Sequence, residues 1–300
     1  MKVLVIGGTG FISHAIVIAL ARAGHDVTCF HRGARLVELP HGVTRVLGDR
    51  RRIASSCDAL VASRPELVVD CVAFNEADAT SLLETFRDVA RRAVVLSSMD
   101  VYRAWGRVTG AEPGPHETMP LREDAPLRES RFPRRAWAAE DPVNEDYDKI
   151  PVEEIVLGSR DVEGVVLRLP MVYGPGDYKR RRVATYRDRM SAGETIELES
   201  GFARWRSTRC YVDDVASAVV AAVESPRATG VYNVGEPDAL SEVEWIRAIA
   251  RVHGFTATIV ESASTSAEDY GQDIVLDTTR IREELAWMPR TIRDDAIGAS

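Results

Sequence analysis

Lysine is nearly missing from this chain: of 38 basic residues only Lys2, Lys149 and Lys179 are lysines, and arginine supplies the rest. Forty-six acidic residues leave a net charge of −8, which opposes the phosphate backbone of nucleic acid. Only the local run Lys179-Arg180-Arg181-Arg182 could reverse that repulsion, and such a run is more often a solvated face or a clamp for a phosphate-bearing substrate. Cysteine is sparse too. Cys29, Cys57, Cys71 and Cys210 show no C-x-x-C spacing, which argues against a disulfide framework or a zinc knuckle and for small core residues. The six histidines include no H-E-x-x-H pattern, so no metal is expected. Long apolar runs are absent. Ile12 to Ala21 is interrupted by Ser13 and His14 and falls short of the ~20 residues a bilayer requires. The apolar stretch after Met1-Lys2 stops at Gly7-Gly8, too soon for a signal peptide, and a cytoplasmic protein without membrane association is expected.

What is present is ordinary globular material, 45% hydrophobic and 28% charged over 300 residues, enough for one large core with a smaller lobe. Short β-prone runs at Lys2–Ile6, Val27–Phe30, Val43–Leu47, Leu67–Val72, Val94–Ser97, Val165–Leu169 and Val231–Val234 alternate, in the first half, with helical stretches at Phe11–Ala23, Ile53–Ser63 and Ala77–Arg91. That alternation predicts an α/β fold, a Rossmann-type doubly wound parallel sheet with a smaller C-terminal substrate-binding lobe. The expected core is 1–170, with 211–235 returning to it, and the lobe comprises 171–210 and 236–300. Between Tyr102 and Asp146 the pattern fails, and six of the fourteen prolines fall there. A stretch of that length without regular structure reads as a lid-like insertion over 103–146.

The chemistry begins at Gly7-Gly8-Thr9-Gly10-Phe11-Ile12-Ser13, between the first strand and the first helix. Glycines there allow a tight turn and a close backbone approach to a pyrophosphate, which makes Gly7, Gly10, Phe11 and Ile12 candidate cofactor contacts. After the second strand, a fold preferring NAD places an acidic residue for the ribose 2′-hydroxyl. Here the chain reads Phe30-His31-Arg32-Gly33, and Arg32 and Arg35 could pair with a 2′-phosphate, so NADP is the expected cofactor with NAD possible. Asp49 could accept from an adenine amino group, or be a solvated loop carboxylate. Ala73 and Pro170, each just past a strand-like run, complete the expected cofactor contacts.

Five segments in order carry a resemblance: Gly7 to Ser13; Val94 to Tyr102, which includes Ser97-Ser98-Met99-Asp100-Val101-Tyr102; Glu123-Asp124-Ala125-Pro126; Leu167 to Gly176; and Arg209 to Val215. The chain is similar to the extended or atypical short-chain dehydrogenase/reductase superfamily, the NAD-dependent epimerase/dehydratase-like proteins. Phe30 to Gly33 also resembles the chloroplast stem-loop-binding branch. The resemblance implies that Ser98 hydrogen-bonds the reacting oxygen and that Tyr147 exchanges its proton. A lysine four residues on should lower the tyrosine pKa and hold the nicotinamide ribose, but that position is Pro151. Lys149 lies two residues from Tyr147, about 200° around a regular helix and so facing away, unless the helix begins near Ile150 and the lead-in is irregular. The catalytic candidates are thus Ser98, Tyr147 and Lys149.

The function expected is an NADP(H)-dependent reductase of a carbonyl in a small polar, sugar-like or natural-product substrate. Reduction is favoured because a tyrosine without its lysine loses more as a base than as an acid. The alternatives are an NAD(P)-dependent sugar epimerase or dehydratase, a non-catalytic NADP-binding regulator consistent with Pro151, and an RNA-binding protein. Tyr102, Tyr173, Arg204 and Arg209 are candidate substrate residues, with Trp205 and Arg206 beside them. A small-molecule substrate is the expected partner, nucleic acid is disfavoured, and the resemblance implies a possible homodimer through the Ala77–Arg91 helix and the helix after Pro151.

Overall fold

A computed structural model describes residues 1–35, 37–263 and 268–300. Its strands are β1 (Lys2–Ile6), β2 (Asp26–His31), β3 (Thr44–Leu47), β4 (Leu67–Asp70), β5 (Arg92–Ser98), β6 (Glu163–Leu169), β7 (Met171–Tyr173), β8 (Ile196–Glu199), β9 (Arg209–Tyr211), β10 (Gly230–Asn233) and β11 (Ile259–Ser262). The helices are α1 (Phe11–Arg22), α2 (Cys57–Ala62), α3 (Glu76–Phe86), α4 (Arg103–Val108), α5 (Lys149–Gly158), α6 (Ala184–Ser191), α7 (Ser200–Arg204), α8 (Val212–Glu224), α9 (Glu242–His253), α10 (Thr279–Leu285) and α11 (Arg293–Gly298). Seven strands form one parallel sheet in the order β10-β6-β5-β4-β1-β2-β3, the doubly wound topology.

The strands read as continuous apolar runs because both faces are covered. Side chains alternate along each strand, so Val3, Val5, Leu67, Val69, Val94, Leu96, Val165 and Leu167 share one core with α1 and α8. Leu4, Ile6, Phe30, Val68, Val95 and Val166 share the opposite core with α3 and α5. The first core runs on without a break into the C-terminal half, where β7 pairs with β9, β8 pairs with β11, and Trp245 of α9 is buried. α8 packs on α1 and β10 pairs with β6, which brings 211–235 into the layers of the sheet.

The insertion divides in two. Tyr102, Ala104, Val108 and Leu121 form a third core with Trp205, Ile274 and Leu276, and Leu121 exchanges backbone hydrogen bonds with Val275 and Asp277. Its first half is thus built into an apolar core, where a lid-like insertion over the whole of 103–146 was expected. Apolar contacts from residues far along the chain account for this. Only 129–146 is left, held by polar contacts around short 3-10 turns at Arg135–Trp137 and Pro142–Asn144. No helix among the described residues is long and apolar enough to cross a membrane, and no group of three or more metal-ligating side chains occurs among them.

One buried ion pair sets the position of α5 on the sheet. Glu153 accepts from Arg168 Nη2 at 2.6 Å and Nε at 3.0 Å, and from Ser97 Oγ at 2.5 Å. Removing one partner of such a pair leaves a buried charge uncompensated. Glu153→Gln is accordingly expected to lower stability by roughly 3–5 kcal/mol in urea unfolding. A loss below about 1 kcal/mol would mean that Arg168 finds solvent when its partner is gone.

Candidate functional site

At the first strand-to-helix turn, Gly7 has φ +87°, and a Cβ there would lie 2.7 Å from Val72 Cγ1. Only glycine is relaxed in that conformation. Ser13, where the usual pattern has a third glycine, donates to Gly7 O at 2.6 Å and accepts from Gly10 N at 2.9 Å, which ties the turn to the helix. The first N–H groups of α1, those of Phe11 and Ile12, have no intrahelical acceptor, and no acidic side chain lies in that turn. This end of α1 suits a pyrophosphate.

At the end of β2, His31 is buried and its Nδ1 accepts from Gly33 N at 3.0 Å. Burial first, and then the nearby Arg45, push its pKa below the ordinary value and favour the neutral ring. Arg32 is exposed and has no charged partner among the described residues. Arg35 lies with its guanidinium 3.6 Å from the centre of the Tyr178 ring. The loop carrying Tyr178 also brings Gly176 against Phe11 and Lys179 within 2.5 Å of Asp141, so it touches the glycine turn, the loop after β2 and the insertion. Asp49 is half-buried and caps the 3-10 segment Arg50–Ser56, accepting from Arg51 N at 3.0 Å.

The catalytic candidates meet at the carboxyl ends of β4 and β5. Ser98 closes β5 and its Oγ accepts from Asp100 N at 3.2 Å. Tyr147 is buried just before α5. Asp148 is the N-cap of that helix, with φ −157° and ψ 115°. In an extended residue of this kind the two neighbours point the same way, as along a strand. Tyr147 and Lys149 therefore both turn inward, where Lys149 Nζ lies 5.9 Å from the Tyr147 ring centre and donates to Ala73 O at 2.5 Å and Leu96 O at 2.7 Å. The helical argument that turned Lys149 away does not apply, because α5 begins at Lys149 and the Tyr-to-Lys step lies on its extended lead-in. Pro151 falls in the first turn of α5, where proline is tolerated. An aspartate three residues before a first-turn proline is a helix-start signal that would have placed this boundary from sequence.

Asp148 faces the insertion. Its carboxylate accepts from Arg128 Nη2 at 2.6 Å and Arg131 Nε at 2.5 Å. These contacts outweigh its burial and hold its pKa below the ordinary value. Arg134, three residues further on, packs its guanidinium 4.0 Å from the Tyr147 ring centre and pairs with Asp100 Oδ2 at 2.6 Å. The same Oδ2 accepts the Tyr147 hydroxyl at 3.0 Å. Burial raises the Tyr147 pKa well above its ordinary value; Arg134 and a Ser98 hydrogen bond oppose that rise, and Asp100 adds to it. Burial pushes Lys149 down to about 8, against the pull of Asp70 and Asp100. Asp100, Arg128, Arg134 and Asp148 were missed from sequence, although the three-residue spacing of Arg128, Arg131 and Arg134 in a segment with no helical pattern was visible.

Four expected substrate residues sit elsewhere. Tyr102 is fully buried, donating to Asn233 Oδ1 at 2.6 Å beneath the Arg168 guanidinium. Tyr173 is fully buried against Trp245 and donates to Glu236 at 2.8 Å. Arg209 is buried on Glu242 at 2.5 Å, and Arg204 is exposed beside Glu261. Tyr102, Tyr173 and Arg209 are thus held in buried contacts, whereas Arg204 stays exposed, a distinction that depends on burial and not on residue type. In the basic run, Lys179 and Arg181 pair with Asp141 and Asp188. Ala73 offers its carbonyl to Lys149, and Pro170 is buried between β6 and β7.

The sequence model of the NAD dependent epimerase/dehydratase family matches residues 3–235. A 3-diazoavenalumate denitrifying reductase from a Streptomyces species is 34% identical over 270 residues, which cover 85% of this chain and 82% of that protein. The 2′-dehydrokanamycin reductase of Streptomyces kanamyceticus is 29% identical over 238 residues, 77% of this chain and 60% of the relative. Among solved structures, the dTDP-glucose 4,6-dehydratase of Bacillus anthracis in complex with NAD has the same fold, with a TM-score of 0.76 at 17% identity over 100% of this chain and 94% of that one.

Burying Lys149 has a measurable consequence. Its folded pKa of about 8 lies below the ordinary lysine value of 10.5, so between these pH values the unfolded chain binds more protons and stability rises with pH. Lys149→Met should therefore be more stable than the unaltered protein at pH 7, by roughly 2–3 kcal/mol, and the gap should close towards pH ~10.5. Urea unfolding of both proteins across that range checks this. A gap independent of pH would show that the ammonium is not buried as a charge.

Proposed function

The chain belongs to the NAD dependent epimerase/dehydratase family, and from that premise we propose that it is an NADP(H)-dependent reductase of a carbonyl in a small polar, sugar-like or natural-product molecule. It is an oxidoreductase of the short-chain dehydrogenase/reductase type that works with a nicotinamide cofactor. The observation that carries the reading is the convergence of Ser98, Tyr147 and Lys149 at the strand ends. The regulator reading rested on Pro151 and loses its support with Lys149 turned inward. Both curated relatives are named as reductases, of chemically unlike substrates, so the reductive direction is what they share.

The residues present fit the cofactor. The tight glycine turn and the N–H groups of Phe11 and Ile12, which lack an intrahelical acceptor, suit its pyrophosphate, and Arg32, with no acidic neighbour in Phe30-His31-Arg32-Gly33, suits a 2′-phosphate. When bound, a reduced nicotinamide supplies the hydride. Ser98 holds the substrate oxygen and Tyr147 passes its proton to it, so the Tyr147 O–H bond breaks as the new O–H bond forms. Lys149, charged below about pH 8, offsets the phenolate that results. The surroundings of Tyr147 favour reduction over oxidation: burial keeps its proton on, the state from which a proton donor starts.

Two measurements test this. Arg32→Ala should weaken NADPH binding by roughly 1.5–3 kcal/mol, about ten- to a hundredfold, and leave NADH binding nearly unchanged in fluorescence titrations. Tighter binding of NADH by the unaltered protein would sink the NADP assignment. Tyr147→Phe should reduce NADPH consumption on a panel of sugar ketones by about 10²–10⁴-fold with NADPH affinity intact. Full turnover in that variant would place the proton source elsewhere.

A further inference from the structure

Two charged groups outside the Ser98, Tyr147 and Lys149 set meet at the proposed proton donor. Asp100 is buried, its Oδ2 shared between the Tyr147 hydroxyl at 3.0 Å and Arg134 at 2.6 and 3.0 Å, while its Oδ1 has no hydrogen-bond partner. Arg134 reaches in from 129–146, the half of the insertion without an apolar core, and covers the Tyr147 ring. We propose that these two groups govern proton release: Asp100 is a catalytic residue that holds the phenolic proton, and Arg134 is a positioning residue whose arrival with the insertion lets that proton go. This rests on Tyr147 being the proton donor.

The argument is one of charge balance in a buried space. The groups facing Tyr147 are Asp100 from the turn after β5, Arg134 from the insertion, Lys149 from α5 and the neutral Ser98 from β5; the adjacent Asp148 is matched by Arg128 and Arg131. Once Tyr147 has given up its proton, two negative groups, the phenolate and Asp100, face two positive ones, Lys149 and Arg134. Withdrawing Arg134 leaves an excess negative charge where burial penalises it most. With 129–146 away from the site, Asp100 thus keeps Tyr147 protonated and inactive as an acid. With Arg134 in place, the acid is enabled. The segment that carries Arg134 thus also switches on the proton donor, which suppresses proton transfer while the site is open to water. The phenolate regains its proton from water after the product leaves.

Replacement of the tyrosines by a polyfluorinated tyrosine, whose phenol ionises several pH units below that of tyrosine, brings the ionisation of buried Tyr147 into a range where fluorine NMR reads it, with Tyr147 assigned as the resonance lost in Tyr147→Phe. Relative to the labelled protein, Asp100→Asn should lower the Tyr147 midpoint by about 1–3 pH units, and Arg134→Gln should raise it by about one unit or more. Arg134→Lys, which keeps the cation, should restore most of the original midpoint. If Asp100→Asn does not fold, the Arg134→Gln and Arg134→Lys pair decides the matter alone. An unchanged midpoint in Arg134→Gln, or a shift of the same sign in both neutralising variants, overturns the proposal. Full turnover by Tyr147→Phe would remove the catalytic reading while leaving this titration interpretable, so the two failures are distinguishable.

Discussion

The candidate site depends on the backbone of Asp148. Its carboxylate accepts from the Ile150 N–H, which starts α5, and from Arg128 and Arg131, which hold the insertion; its own N–H donates to Phe74 O. A residue fixed on both sides in this way stays extended, and an extended residue sends its two neighbours to the same side. Tyr147 and Lys149 therefore face one space although only one residue separates them. Were α5 extended one turn towards the N-terminus, the same pair would diverge by about 200° and one of the two would leave the site. The cap and the convergence of the catalytic candidates are one feature.

Around that feature the fold tolerates charges that a core would otherwise exclude. Lys149 is buried on two carbonyl oxygens with no carboxylate at ion-pair distance among the described residues, and Asp100 keeps one oxygen without a partner. Such groups persist because the two apolar cores on either side of the sheet stabilise the whole domain and leave room for local cost. Glu153, one turn further along α5, pairs with Arg168 of β6 and fixes the helix against that strand. The distances at Tyr147 are set by that anchoring, since an unanchored helix could relieve the buried charges by shifting.

The insertion illustrates why loops are hard to read in one dimension. Its prolines and lack of periodicity suggested a single lid. Half of it instead joins Trp205, Ile274 and Leu276, residues more than seventy positions away, in a core of its own. The other half contributes to none of the apolar cores among the described residues and is held by Arg128, Arg131 and Arg134. Arginines at three-residue intervals were in plain view, but their carboxylate partners, Asp100 and Asp148, lie outside the insertion and are identified only by the fold.

The sheet, its parallel order and the glycine turn were legible in the sequence because they follow from local rules: apolar runs of strand length alternating with helical periods, and a backbone conformation at Gly7 that only glycine adopts freely. Arg32 in place of an acidic residue was likewise a matter of one position in one turn. The tertiary structure alone decided that Lys149 points inward, that Tyr102, Tyr173 and Arg209 belong to buried networks, and that Asp100 and Arg134 meet on Tyr147. Those outcomes depend on burial and on charges brought together from distant parts of the chain, and neither quantity exists until the sheet has placed the strand ends side by side.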